Sequence, residues 1–494
     1  MNSGSGSRVG GGRIRWSPFA AVALMLAMFA GHAFARATPR VQPAQRVEFG
    51  QSVISLNGPW KFRTGDDYRW SDPRWDDSNW EGIDLAAPQG SRDADIGLTG
   101  YVPGWGAHGH KGYAGFAWYR LRVALDGADS APLAIAGPTI LDGAYQVFID
   151  GTYVDEVGDF RGPLPVVHSV RPRLIQLPTT DAGGPRTVLI TLRVWTPGPV
   201  TAGDAGGLRA APHIGRLDDI KTLYQSQWIQ VLRGYAVDAV EAAVLAILTL
   251  MVGGLLAVKR NHAGYAWLLA ALSLTTLLRL NQVIYFWTGA ESLPTYDILR
   301  SVILTPAALF SWLMAWRFWF DHSRLKWLTG AMAALTGFYM AAALGSQPWL
   351  QPGNPAHTGF DQAVTDFRLT FAALYTFVVV AATWRNRSSW QGVLTFLAAT
   401  CVAVGLFAKE LTQIGMTPVW FPFGVGVSRT QFAIVALVVI LFAMVLEEFI
   451  RLASPPKPEP VEDNWGPVPT PVLEPVRVMA GISRRPVERK GGVP

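Results

Sequence analysis

Ionisable side chains standing in apolar runs are the first candidates for chemistry in this sequence. Asp238, Glu241, Arg279, Arg300, Arg368, Lys409 and Glu410 all lie inside, or at the edge of, stretches otherwise built from Leu, Val, Ala and Phe. A charge in such surroundings is costly unless it is paired or faces a wet cavity, so both signs together point to an internal, ion-paired polar pocket. Arg279 is the sharpest case: it falls eight residues before the end of its run, about 12 Å deep at the helical rise. Asp238 or Glu241 is its expected partner. The bland alternative is that these side chains reach out to headgroups along their stems.

A second constellation is the loop Tyr101-Val-Pro-Gly-Trp-Gly-Ala-His-Gly-His-Lys-Gly-Tyr113. Its glycines expose backbone, and Tyr101, Trp105, His108, His110, Lys111 and Tyr113 supply rings and hydrogen-bonding groups for a ligand. An ordinary flexible loop is the competing reading. Two histidines two residues apart, with no third ligand in view, do not specify a metal site. No metal or cofactor is expected, and no residue reads as catalytic. The chain lacks a phosphate-cradling Gly-rich loop ending in Lys-Ser/Thr, a His-Glu-x-x-His pair and a Gly-x-Ser-x-Gly elbow.

The elements that must hold these groups divide the chain in two. Of 494 residues half are apolar and 16% charged, which is lean for a soluble protein of this size. The average hides a polar, turn-rich stretch at 41–230 and a second part, 231–452, of long apolar runs. Seven runs are long enough to cross a bilayer: 233–257, 265–287, 296–320, 325–345, 364–384, 391–411 and 429–450. Loops after the odd-numbered runs carry Lys259, Arg260, Arg324, Lys326, Arg385 and Arg387, whereas those after the even-numbered runs carry no Lys or Arg. That asymmetry predicts the N-terminal part outside and the C-terminus in the cytoplasm.

The net charge of +6 comes from scattered Lys and Arg, so anionic headgroups rather than nucleic acid are the expected partner. The lone Cys401 sits in an apolar run, leaving no internal disulfide to brace an exported domain. Arg8, Arg13 and Arg15, the apolar run Phe19–Ala30 and Ala33-Phe34-Ala35 read as a signal peptide over 1–35. At the other end, the proline density from Ser454 onward predicts a disordered cytoplasmic tail over 453–494.

Between these, residues 47–215 read as short strands: Val53–Leu56, Ala117–Val123, Pro132–Ile135, Tyr145–Ile149 and Thr187–Val194. Asp150-Gly151 is the dipeptide a two-residue hairpin favours. The predicted fold class is therefore multidomain: an exported all-β sandwich followed by an all-α seven-helix transmembrane bundle at 231–452.

Three motifs in order carry a resemblance. Ser55-Leu-Asn-Gly-Pro-Trp-Lys-Phe62, Trp75-Asp-Asp-Ser-Asn-Trp80 and Gly115-Phe-Ala-Trp-Tyr-Arg120, with Val147-Phe-Ile-Asp-Gly-Thr-Tyr-Val154 following, resemble the N-terminal sugar-binding jelly roll of glycoside hydrolase family 2. The resemblance implies a jelly roll over roughly 50–200 that binds a carbohydrate. It departs from those hydrolases in lacking the barrel of about 250 residues that would hold the paired catalytic carboxylates, so it implies binding without hydrolysis. Trp60, Trp75, Trp80 and Trp118 are expected to pack in its core. An exported sandwich before seven helices resembles, by architecture, the bacterial seven-transmembrane receptors with diverse intracellular signalling modules. Here the short tail departs from them, since no output domain fits in it.

The expected function is an inner-membrane receptor that binds a periplasmic small molecule or glycan and signals to a separate cytoplasmic protein. A membrane enzyme or transporter acting on a glycan, with the jelly roll as substrate collector, is the alternative.

Overall fold

The computed structural model describes residues 53–93, 96–125, 132–178, 186–198, 205–260, 262–319, 326–347, 356–386, 390–413 and 425–454. The expected signal peptide at 1–35 and all but the first residues of the expected tail lie outside them.

The N-terminal part is rich in strands. β1 (Val53–Ser55), β2 (Trp60–Thr64), β3 (Glu81–Ile83), β4 (Gly115–Leu125), β5 (Leu133–Ala136) and β6 (Leu141–Asp142) come first. β7 (Ala144–Ile149), β8 (Thr152–Val157), β9 (Leu174–Gln176), β10 (Arg186–Thr196), β11 (Gly207–Leu208) and β12 (His213–Arg216) follow. One sheet has the order β3-β2-β4-β10-β7-β8, a second β1-β12-β5-β9, and β6 and β11 form a short ribbon. The backbone of the larger sheet is the β4–β10 ladder, antiparallel from Arg186↔Leu125 to Thr196↔Gly115. Asp150 and Gly151, both at positive φ, turn β7 into β8.

Period-two alternation explains which residues are buried. In β10, Val188, Ile190, Leu192 and Val194 share one apolar cluster with Ile135, Ile175 and Ile214 of the smaller sheet, so the two sheets bury their inner faces together. Arg193 and Trp195 alternate with them and turn to the opposite face. On that outer face Trp70, Trp80, Trp118 and Phe148 form a second cluster, with the half-buried Trp75 against it. Trp60 belongs to the cluster between the sheets. Of the four tryptophans expected in the core, Trp60 lies between the sheets, Trp80 and Trp118 are buried on the outer face, and Trp75 is only half-buried there.

From residue 217 the chain is helical. The helices are α1 (Leu217–Gly234), α2 (Ala236–Val258), α3 (Ala263–Thr288), α4 (Leu293–Trp319) and α5 (Trp327–Gly345). Then come α6 (Ala356–Asn386), α7 (Trp390–Leu406), α8 (Ala408–Gln413) and α9 (Arg429–Ala453). Among the described residues six helical stretches are long and apolar enough to cross a membrane: Leu217–Val258, Ala263–Thr288, Leu293–Trp319, Trp327–Gly345, Gly359–Ala381 and Thr430–Ala453. Val240, Val244, Ile247 and Leu250 line the exposed side of α2, while Leu245, Leu248, Val252 and Leu255 are buried on the other. An apolar stripe of that length turned outward suits lipid rather than water.

The expected run at 391–411 departs from one continuous span. α7 stops at Leu406 after 17 residues, the chain bends at Phe407, and α8 resumes at Ala408. Seventeen residues reach about 26 Å at the helical rise, short of a hydrocarbon core of about 30 Å. The interaction at the break comes from another helix: Arg368 Nη2 of α6 donates to the Leu406 carbonyl at 2.9 Å, taking an acceptor at the point where the helix ends.

α4 also deviates from regular geometry. Over Ile298–Leu304 it widens, and the Thr305 amide bonds back to the Arg300 carbonyl, five residues away. Pro306 sits just beyond; it removes one amide from the ladder, which favours such a widened turn.

The strand-rich part and the helices meet at the α3–α4 connection. His168 pairs with Ser292 as an isolated antiparallel bridge. The Leu293 amide donates to the Val167 carbonyl at 2.7 Å, and the Leu293 side chain packs against a cluster of Ala144, Val167 and Trp195. A separate link runs from the Gly426 amide to the Ile96 carbonyl at 2.8 Å.

Candidate functional site

The ionisable residues read from the apolar runs fall into two groups. Asp238 and Glu241 stand on α2, three residues apart and so on one side of the helix, and are 2% and 5% exposed. Arg279 on α3 reaches both: its Nη1 is 3.0 Å from Asp238 Oδ1 and its Nε 3.1 Å from Glu241 Oε2. Where one acidic partner was expected, the arginine serves two. In the second group Arg368 of α6 grips both carboxylate oxygens of Glu410, with Nη2 2.9 Å from Oε2. Its Nη1 also donates to Tyr339 Oη at 3.4 Å.

One cavity of about 530 Å³ joins the groups. Arg279, Arg300, Arg368 and Lys409 line it, whereas Asp238, Glu241 and Glu410 are not on its wall but stand behind the guanidinium groups they pair with. Asp297 and Asp361 supply the acidic part of the lining. Arg300 Nη1 donates to Tyr296 Oη at 2.5 Å. Lys409 makes no hydrogen bond or ion pair with the described residues. Deeper, the wall becomes apolar with Trp312, Val402, Ile434 and Leu437.

The cavity's place in the bundle follows from the helix ends that line it. Asp297, Arg300 and Ser301 begin α4, Ser346 and Gln347 follow the end of α5, Asp361 and Val364 begin α6, and Lys409 lies beyond α7. These are the ends on the same side as Thr288, where the helices meet the strand-rich part. The widened turn of α4 carries Arg300 and Ser301 into the lining.

Residues of this site escaped the sequence reading. Asp297 was missed because it lies among Thr, Tyr and Ile beside a loop, where a carboxylate is unremarkable. The glutamines Gln282 and Gln347 and the widened turn carry no pattern readable from sequence. Arg317, buried in α4 beside Met314 and Thr329, and the Lys259–Glu448 pair at the opposite ends of the helices were likewise unforeseen.

The loop 101–113 does not present the surface expected of it. Trp105 is 0% exposed and sits in the cluster between the sheets, with ring centroids of Phe62 at 6.1 Å and Tyr113 at 5.6 Å. Gly207 makes the room: a Cβ there would stand 2.7 Å from the Trp105 ring. Tyr113 Oη accepts from the Gly65 amide at 3.1 Å and donates to the Phe116 carbonyl at 2.5 Å. Arg209 covers Tyr101 at 4.3 Å. Three of the six proposed ligand contacts therefore fasten the loop to the sandwich. His110 pairs with Glu81 at 2.7 Å, leaving His108 and the exposed Lys111 toward solvent. Among the described residues no three His, Cys, Asp or Glu side chains are placed to hold a metal ion.

Polar groups gather instead on the outer face of the larger sheet. The register aligns Arg63, Trp118, Arg193, Gln146 and Glu156 across five strands. Arg193 holds Asp66 through Nε and Nη2 at 2.7 and 2.6 Å, and its Nη1 donates to Gln146 at 2.8 Å and Tyr68 Oη at 2.7 Å. Tyr68 and Tyr153 flank Phe148 at 6.3 and 6.0 Å and remain 54% and 49% exposed. Gln146 Nε2 donates to Glu156 at 2.9 Å. Two open aromatic rings beside fixed donors and acceptors make a surface able to hold a polyhydroxylated ligand.

No family model matches the chain, and no curated protein does. Among solved structures it is similar to a Bacteroides uniformis beta-glucuronidase, at 17% identity over 33% of this chain and 17% of that one, with a TM-score of 0.24. A beta-glucuronidase from glycoside hydrolase family 2 aligns at 16% identity over 33% and 17%, TM-score 0.23. A Bacteroides cellulosilyticus member of that family aligns at 19% over 33% and 20%, TM-score 0.22. The chain thus spans a fifth or less of the length of these proteins.

Proposed function

We propose that the protein is an inner-membrane sensor: an exported jelly-roll-like domain binds a carbohydrate, and the helix bundle passes the bound state to a separate cytoplasmic protein. One observation carries this reading. The α3–α4 connection is hydrogen-bonded to the strand-rich part through Ser292 and Leu293, and four residues later Asp297 lines the bundle cavity. A shift of the sandwich is thereby delivered to the charged wall. The basic loops favour placing the sandwich outside and the C-terminus inside. Ligand recognition is assigned to the outer sheet face around Tyr68, Tyr153, Gln146 and Glu156 rather than to the loop 101–113.

The test uses full-length protein in nanodiscs. Calorimetry against sugars and cell-wall fragments should find a ligand whose affinity drops at least tenfold in Tyr68→Ala and Tyr153→Ala. Spin labels at positions 260 and 390 should report a ligand-dependent distance change that Arg279→Leu abolishes while keeping the affinity. Release of sugar by the purified protein, or uptake of the ligand into proteoliposomes, would replace this reading with the enzyme or transporter.

A further inference from the structure

Four cations face the bundle cavity against two carboxylates. Arg279, Arg300, Arg368 and Lys409 line it, as do Asp297 and Asp361, while the carboxylates of Asp238, Glu241 and Glu410 lie behind the arginines that they fix in place. Arginines held from behind keep outward N–H groups at set positions without further loss of side-chain freedom, which is how a binding site is preorganised. Lys409, exposed and next in the chain to Glu410, whose carboxylate feels its charge, adds a fourth cation to the wall without a hydrogen bond or ion pair among the described residues. The volume of about 530 Å³ is that of a small-molecule site.

The lining is divided by depth. Charged and amide groups collect at the end next to the strand-rich part, and Trp312, Val402, Ile434 and Leu437 make the inner wall. A purely ionic ligand would leave that inner wall unfilled, and a purely apolar one would strip water from four cations at great cost. The widened turn of α4 adds an independent sign. It turns Arg300 and Ser301 into the lining, and such turns occur often at functional sites.

We infer that this cavity binds an amphiphile with an anionic head, a carboxylate or phosphate, and an apolar chain, with the head held by Arg300 and Lys409 and the chain against Trp312 and Leu437. The site stands apart from the sensor reading, since it requires no ligand on the sandwich. The same chemistry is offered by a bilayer lipid and by a diffusible single-chain compound.

The probe is radiolabelled dodecyl phosphate, bound to full-length protein in phosphatidylcholine nanodiscs, with empty discs subtracted. Saturable binding of one molecule per chain is expected, unaffected by equimolar dodecanol or inorganic phosphate. Lys409→Gln, which breaks no hydrogen bond or ion pair among the described residues, should weaken the probe about tenfold, and Leu437→Trp should exclude it with the melting temperature kept. Phosphatidylglycerol doped into the disc separates the sources: displacement of the probe assigns the site to bilayer lipid, and retention assigns it to a diffusible amphiphile. Equal competition by dodecanol or by inorganic phosphate, or an unchanged affinity in Lys409→Gln, would overturn the inference.

Discussion

Trp105 and Trp118 are both closed off from solvent, one between the sheets and one on the outer face of the larger sheet. Truncating either leaves a void that its neighbours cannot fill, so Trp105→Ala and Trp118→Ala should each cost about 3–5 kcal/mol. Thermal melting of the full chain, followed by tryptophan fluorescence, should show comparable drops. A fall confined to Trp118→Ala would mean that the loop carrying Trp105 is only loosely held. His213 on β12 makes a second case. Burial lowers its pKa from the ordinary value, and its Nδ1 has no hydrogen-bond partner among the described residues. The folded state then binds fewer protons than the unfolded one. The stabilisation is complete above the unfolded pKa of about 6.5 and is lost as pH falls through the window below it. His213→Asn should melt with a flatter pH dependence than the parent between pH 7 and 5; parallel curves would exclude this titration. At this scale the sequence was readable where residue type alone decides the outcome. A tryptophan in a strand motif packs, and in the apolar runs Arg279 and Arg368 find carboxylate partners. It was unreadable where a distant residue decides, as with Gly207 opening the space that takes Trp105 out of solvent.

Arg279 belongs to the scale of elements, because it ties α3 to α2. Replacing it with leucine leaves two carboxylates buried without their cation, which should cost about 3–5 kcal/mol. Adding Asp238→Asn and Glu241→Gln to Arg279→Leu should recover most of that loss in melting temperature. Failure of the triple variant to recover would show that the arginine's packing matters more than its charge. Helix length and apolarity made most of the helices legible, since both are local properties of the sequence. The division of the expected run at 391–411 was not, because the guanidinium that takes the Leu406 carbonyl comes from α6, far away in the chain. The widened turn in α4 had a local signal in Pro306, though proline alone does not say whether a helix kinks, widens or stops.

For the whole molecule, orientation is the property most exposed to test. A reporter active only outside the cytoplasm should work when fused after Ala290 or Gly353 and fail after Asn261 or Asn386, as the six basic residues of one set of loops against none in the other require. The opposite pattern would reverse the proposed direction of signalling. Loop charge is summed over the chain and needs no contact to be known, which is why topology can be argued from sequence; the charges in the apolar runs likewise point to a polar pocket, but not to its walls. The cavity exists only once the ends of α4, α5, α6 and α7 are brought together.

Two of the links between the parts, at Ser292–Leu293 and at Gly426, also bear on how this architecture can be recombined. A domain joined to a bundle by one covalent linker is a cassette, free to swivel and simple to exchange. Here the sandwich is joined through α1 and is also fastened to two other stretches of the chain, one of them with Gly426 so close to α1 that a Cβ would stand 2.6 Å from the Arg233 carbonyl. It cannot swivel without breaking those contacts. On the proposed sensor reading, a chimera that receives a foreign N-terminal domain by a splice at α1 alone should therefore insert and fold, yet remain mute. Transplanting residues 289–293 and 425–428 together with their own sandwich should return its voice, which would make those short segments, rather than the linker, the inherited unit of compatibility.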